Sequence, residues 1–207
     1  MFFRLLDQPL FVMIRFVSFI ALSFIVMVAC NSQAQAPPSE EDQIAAAVSA
    51  APQKMRADAT VIGYDQSMKL TTLRDGSGDL VCVADDPQDE KFHVACYHKS
   101  LAPFMERGRS LRKQGKSRTA VDSIRRAEIE NGTLSYPENP VALYNLSGPA
   151  DAFDAAADTI RTASRLRVLY VPYETAESTG LPTSPQGGPW LMEPGTPWAH
   201  VMIPQSD

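Results

Sequence analysis

Cysteine, histidine and tryptophan are scarce in this chain: three, three and two of 207 residues. No His-Glu-x-x-His, Gly-x-Ser-x-Gly, Gly-x-Gly-x-x-Gly or phosphate-cradling glycine loop occurs. Zincin, nucleophile-elbow hydrolase and dinucleotide-binding chemistry therefore lack their usual residues. His93 and His98 lie close in sequence and His200 far away, which gives no indication of a three-histidine metal site. Asp75, Ser77 and Asp79 have the first spacings of a calcium loop, with Asp86 at its twelfth position. Leu80 nevertheless stands where the loop needs glycine, and a hairpin turn accounts for Asp75-Gly-Ser-Gly-Asp79 without an ion. The expectation is no metal and no cofactor. A nucleic-acid partner is disfavoured because few aromatics interleave with the basic residues, Tyr97 and Phe104 being the only ones near Lys99–Arg126.

Long apolar runs are confined to the start. Residues 1–30 hold 23 hydrophobic residues and six of the nine phenylalanines. The run Phe16–Ala29 follows Arg15 and is short for a hydrocarbon core of about 30 Å, so it reads as the apolar centre of a secretory signal segment, 1–30. Asp7 and Pro9 are out of place in such a segment, which favours Met13 as the true start. Met27-Val-Ala-Cys30 resembles a lipobox, with Cys30 as the lipidated first residue of the mature chain. Ordinary cleavage after Ala34 is the rival, and an uncleaved anchor the third reading. Residues 31–38 form a tether with paired Pro37-Pro38.

Apart from Cys30, only Cys82 and Cys96 remain, an even pair in a chain read as exported. With no Cys-x-x-Cys unit and no histidine cluster beside them, a disulfide is expected; two free core thiols are the alternative.

The rest, 39–207, reads as a single globular domain of α+β class, with two to three helices packed on an antiparallel-rich sheet. Ser39 caps a helix whose first turn is Glu40, Glu41 and Asp42, with Ile44, Ala45, Val48 and Ala51 on its apolar face. Strand pattern covers Thr60–Tyr64, Met68–Leu73, Leu80–Ala84 and Phe92–Tyr97. A basic helical block follows, with nine basic and two acidic residues between Lys99 and Arg126. Its apolar faces are Leu101, Phe104, Met105, Gly108 and Leu111, then Ala120, Val121, Ile124 and Ala127. Ten of the sixteen prolines lie from Pro137 to Pro204. There Val141–Leu146, Leu166–Tyr173 and Trp198–Ile203 are predicted strands, the second central and apolar on both faces except Arg167. Ala150–Ala163 is rich in Ala and Asp and is predicted helical.

The scarce side chains converge at the end of the chain, in Pro189-Trp-Leu-Met-Glu-Pro-Gly-Thr-Pro-Trp-Ala-His-Val-Met-Ile203. Alternation places Ala199, Val201 and Ile203 on one face of the last strand and Trp198, His200 and Met202 on the other. Trp190, Glu193, Trp198 and His200 are the candidate ligand-binding residues, because aromatic walls with a few polar groups make a small-molecule pocket. Burial of Trp198 and Met202 as plain core, with His200 bonded to a backbone carbonyl, is the competing account. Tyr144, Tyr170 and Tyr173 fit either.

Four stretches resemble a group of exported bacterial proteins of unassigned function. They are Ile44–Val61, then Leu73-Arg-Asp-Gly76 with Cys82 and Cys96, then Val168–Pro182, and lastly Pro189-Trp-Leu-Met192 with Gly195-Thr-Pro197 and Ala199-His-Val-Met-Ile203. The resemblance supports export, the cysteine pair and the domain span; no activity, ligand or cofactor travels with it. Leu80-Val81 stand where the group often has an aromatic before the first cysteine, and Arg107–Arg126 is a longer basic stretch.

The leading expectation is a non-enzymatic protein of the cell envelope, either lipid-anchored through Cys30 or soluble in the periplasm, that binds a small ligand or an envelope component. A hydrolase-like enzyme with His200 as general base and Glu193 as its orienter is one alternative. A surface-interaction protein meeting anionic membrane or wall polymer through Arg109, Arg112 and Lys116 is the other.

Overall fold

Ser39 does what its position predicts: its hydroxyl accepts from the Asp42 amide at 3.1 Å and starts helix α1, Glu40–Val48. The computed structural model describes residues 36–205; the signal segment, Cys30 and most of the tether lie outside the described residues. The inner face of α1 is Gln43, Ala46 and Ala47, continued by Ala50 and Ala51, whereas Ile44 and Val48 are only half-buried. Small side chains let the helix lie close to the sheet. Gln43 crosses the gap, accepting from Tyr64 N at 2.8 Å and donating to Tyr64 O at 3.0 Å, so its buried amide is paired.

Eight strands form one mixed sheet in the order β2-β1-β3-β4-β5-β8-β10-β9. They are β1 (Thr60–Tyr64), β2 (Leu70–Arg74), β3 (Leu80–Val83), β4 (Lys91–His98), β5 (Val141–Pro149), β8 (Ser164–Tyr170), β9 (Trp190–Met192) and β10 (His200–Pro204). Only β1 and β3 run parallel; every other pair is antiparallel. The expected α+β domain with an antiparallel-rich sheet is the one found. Alternation sorts the strands between two cores. Val61, Cys82, Val94, Cys96 and Leu146 pack with the α1 alanines. Tyr97, Val168, Tyr170 and Trp198 pack with Leu101 and Phe104 on the opposite face.

That opposite face is covered by α2 (Ala102–Lys113) and α3 (Arg118–Glu130). Pro103 sits in the first turn of α2, where its missing N–H costs nothing. Gly115, at φ +77°, ends the helix and turns the chain, and Ser117 caps α3 through the Ala120 amide at 3.3 Å. Arg107 Nε donates to Glu128 Oε2 at 2.9 Å and ties the two helices together. A short helix, α4 (Ala176–Thr179), lies in the late loops.

Three local expectations are corrected. Ala150–Ala163 is not helical but carries a hairpin, β6 (Phe153–Asp154) with β7 (Thr159–Ile160). Asp154 accepts from the Ala157 amide at 3.2 Å and from Arg161 Nε at 3.1 Å, and Asp158 takes φ +48°, so the aspartates build a turn that outweighs alanine propensity. Asp75–Asp79 is not a hairpin turn but a connection past β1, which lies between β2 and β3 and pairs with both. Strand β8 is central, but only one of its faces is covered: Arg165, Arg167 and Leu169 are exposed, and Arg165 Nη1 only reaches back to Ser49 O at the end of α1, at 3.5 Å. Asp79, considered above for calcium, pairs with Lys99 at 2.8 Å. Among the described residues no helix is long and apolar enough to cross a membrane.

Asp85, in the loop between β3 and β4, accepts from the His93 amide at 2.7 Å. Burial pushes its carboxyl up to about 6; the His93 amide pulls it down, while Asp89 and Asp86 add to the rise. The unfolded value is near 3.9, so the folded chain holds this proton more tightly between about pH 4 and pH 6, and stability falls as pH rises through that window. Because Asp85 is half-exposed, the effect is reduced by solvent screening to about 1 kcal/mol. In urea titrations Asp85→Asn should exceed the wild type by that amount at pH 7 and match it at pH 4. The same difference at both pH values would show that the carboxyl is not the cause.

Candidate functional site

Strand β10 pairs with β8 so that His200 stands opposite Tyr170, and with β9 so that His200 stands opposite Met192. The predicted alternation holds. His200 and Met202 face α2 and α3, and Trp198, which precedes the strand in a turn rather than opening it, joins them there. Trp198 is 5% exposed and leans on Phe104, ring centroids 5.6 Å apart.

Beside these residues the sheet and the two helices leave a cleft of about 420 Å³. Phe104, Met105, Val121, Tyr170 and Trp198 supply its apolar surface, with His200 and Glu193 on the strand side. The helices contribute Arg112, Arg118, Asp122 and Arg125, and the turn between them Lys116. Of the candidate residues, Glu193, Trp198 and His200 are thus brought together. Trp190 is not: it lies half-buried on β9 opposite Met202 and does not line the cleft. Tyr144 lies on the opposite face of the sheet from Tyr170, and Tyr173 is 56% exposed.

His200 is fixed by its own backbone. Its Nδ1 donates to the Trp198 carbonyl at 2.8 Å, so Nε2 is left as an acceptor. Burial lowers the imidazole pKa, the Trp198 bond and Glu193 oppose that, and Arg118 adds to it; the net direction is down and the ring is neutral at pH 7. Glu193 therefore contributes charge at a distance, and the Nδ1 partner that the hydrolase reading assigned to it is the Trp198 carbonyl instead. Glu193 itself sits at φ +52°, a left-handed conformation costly for a side chain of its size. Its carbonyl accepts from Thr196 N at 3.2 Å and Thr196 Oγ1 at 2.8 Å, which holds the turn closed. Tyr173 N bonds Thr196 O at 2.9 Å and Gly195 N bonds Glu174 O at 2.8 Å, tying this turn to the chain leaving β8.

On the helix side the residue that organises the cleft is Arg125. It is 9% exposed, stacks at 3.8 Å over the Phe104 ring and donates to Asp122 Oδ1 at 2.7 Å. Its Nε is buried without a partner. Gly108 of α2 makes room for it: a Cβ there would stand 2.9 Å from Arg125 Nη1 and 3.3 Å from Arg112 Nη1. Two guanidinium groups therefore share one notch in the helix surface. Arg112 has its pKa lowered by burial first and then by the charges of Arg125 and Arg109. Arg109 does not line the cleft; its Nη1 approaches Tyr97 Oη at 3.5 Å.

Arg125, Arg118, Asp122, Phe104 and Met105 were not among the residues predicted for the site, whereas Tyr170 was open to either account and lines it. Arg125 was within reach of the pattern, because it follows Val121 by four positions and so shares its helical face. The three histidines stay apart: His93 Nε2 meets Asn145 Nδ2 at 3.0 Å and His98 Nδ1 meets Ser100 Oγ at 2.7 Å. Among the described residues no group of three metal-ligating side chains forms. Comparison of the chain with protein-family models, with curated proteins and with solved structures finds no match.

Proposed function

We propose that this is an exported binding protein of the cell envelope that holds a small ligand in the cleft between β10 and the α2–α3 pair. The observation that carries the reading is the convergence itself. The aromatic and histidine-bearing end of the chain and the basic helices, far apart in sequence, line one cavity of about 420 Å³. A cavity of that size, lined by apolar and aromatic side chains together with several charged ones, suits a small molecule. A binding role is favoured over hydrolysis because none of the residues lining the cleft is a serine, threonine or cysteine. Export rests on the amino-terminal segment, and the Cys82–Cys96 bridge accords with an oxidising compartment.

Met105 is half-buried on the cleft wall at the edge of the core, so Met105→Trp keeps an apolar side chain there and adds volume that fills the cavity. The neutral fluorophore N-phenyl-1-naphthylamine should brighten on titration into the wild type and not into Met105→Trp, while the two melt within about 5 °C of each other, as for an apolar exchange of below about 1.5 kcal/mol. Equal brightening in both proteins would remove the cleft as the binding site.

A further inference from the structure

We propose that the ligand of this cleft is a small organic acid, with one carboxylate, sulfonate or phosphate set against Arg112 and Arg125 and an apolar body set among Met105, Tyr170 and Trp198. The inference rests on the cleft reading and narrows it to a chemical class.

Charge balance is the first ground. Four cations line the cleft against two carboxylates. One of these, Asp122, is already committed: it accepts from Arg125 at 2.7 Å and stands 4.0 Å from Arg118. Arg112 and Lys116 have no ion-pair partner among the described residues. Crowding of Arg112 by Arg125 and Arg109 is a repulsion that a bound anion would offset.

Preorganisation is the second. Arg125 is held by Asp122, by the Phe104 ring beneath it and by the bare surface of Gly108. Its guanidinium plane is therefore set before any ligand arrives, and little rotamer entropy remains to be lost. A flat fork of donors held beside an aromatic surface matches a carboxylate or sulfonate on a ring.

The polarity of the walls is the third. The helix side offers cationic donors, whereas the strand side offers the acceptor Nε2 of a neutral His200 and the carboxylate of Glu193. An anion is drawn to the helices and repelled from the strand, which fixes one orientation. The same geometry favours a small acid over an extended polyanion, because Arg112 and Lys116 line a cleft while Arg109 turns away to Tyr97.

The test compares two probes with the same ring system. 8-Anilinonaphthalene-1-sulfonate carries an anion that N-phenyl-1-naphthylamine lacks. The wild type should bind the sulfonate at least about tenfold more tightly at low salt, with the advantage shrinking as salt is added. Arg112→Gln should remove most of that advantage, weakening the sulfonate several-fold more than the neutral probe. Gly108→Ala, which keeps every charge but displaces both guanidiniums, should do the same to a smaller degree. Equal affinity for the two probes, or a sulfonate advantage that survives in Arg112→Gln, overturns the acid while leaving the cleft in place, provided Met105→Trp still blocks the neutral probe. If Met105→Trp changes neither probe, the cleft and the acid fall together.

Discussion

Reduction of the Cys82–Cys96 bridge should lower the melting temperature by about 6–12 °C. The two cysteines face each other in register across β3 and β4, Cα atoms 4.0 Å apart, with both side chains fully buried under α1. Their sequence separation is 14, and closing a loop of that length is worth about 3 kcal/mol in the chain-entropy account. At about 2–4 °C per kcal/mol for a domain of this size, the shift follows. Position in the sheet adds weight. Strand β3 has four residues and is the link by which β1 and β2 join the rest of the sheet, so a covalent tie at its centre also holds the register of that edge. Comparing oxidised with reduced wild type keeps every other atom constant and avoids the cavity that an alanine pair would leave. Because neither sulfur side chain is exposed, dithiothreitol should act slowly on the native protein at 25 °C and quickly near the transition. A reduced protein that melts within about 2 °C of the oxidised one would mean that the sheet needs no such tie.

The parts of this fold governed by local pattern were legible in the chain. The Ser39 cap and the alternation of His200 against Val201 each depend on neighbours within a few residues, and each is present; the hairpin expected at Asp75–Asp79 is absent because β1 lies between β2 and β3. Where two local signals conflicted, the pattern misled. Ala150–Ala163 has helical composition, but its aspartates cap a turn, and a hairpin results. The two halves of the site were each marked, Trp198 and His200 by scarcity and the helices by charge, but as separate features. What unites them is the strand order β5-β8-β10, which returns the end of the chain beside the helices that precede β5. That order depends on long-range pairing and leaves no trace in spacing. Arg125 was hidden for another reason. An arginine on a helical face reads as solvated, and only the Gly108 notch and the Phe104 ring make its burial tolerable.

The Arg125–Asp122 pair should respond very unequally to removal of its two members. Asp122→Ala should cost about 2–3 kcal/mol in urea denaturation, whereas Arg125→Met should cost less than about 1 kcal/mol or stabilise. Deleting Asp122 leaves a guanidinium that is 9% exposed with one weak acceptor, the Phe104 carbonyl at 3.5 Å, and two aromatic faces. Buried and unpaired, that charge carries most of its desolvation penalty. Deleting the guanidinium leaves Asp122 with 29% of its side chain in solvent and Arg118 nearby, while methionine keeps apolar volume and a sulfur–ring contact over Phe104. It also removes the unpaired Nε. The double variant should then match Arg125→Met alone, because without the arginine Asp122 has little left to stabilise; the two single effects will not add. If Arg125→Met proves as costly as Asp122→Ala, the arginine is a structural strut. The predicted asymmetry would mean the opposite: the fold keeps a buried cation that its stability does not require. Such a residue is explained by binding, and the same Arg125→Met protein should be the one that no longer distinguishes the sulfonate from its neutral counterpart.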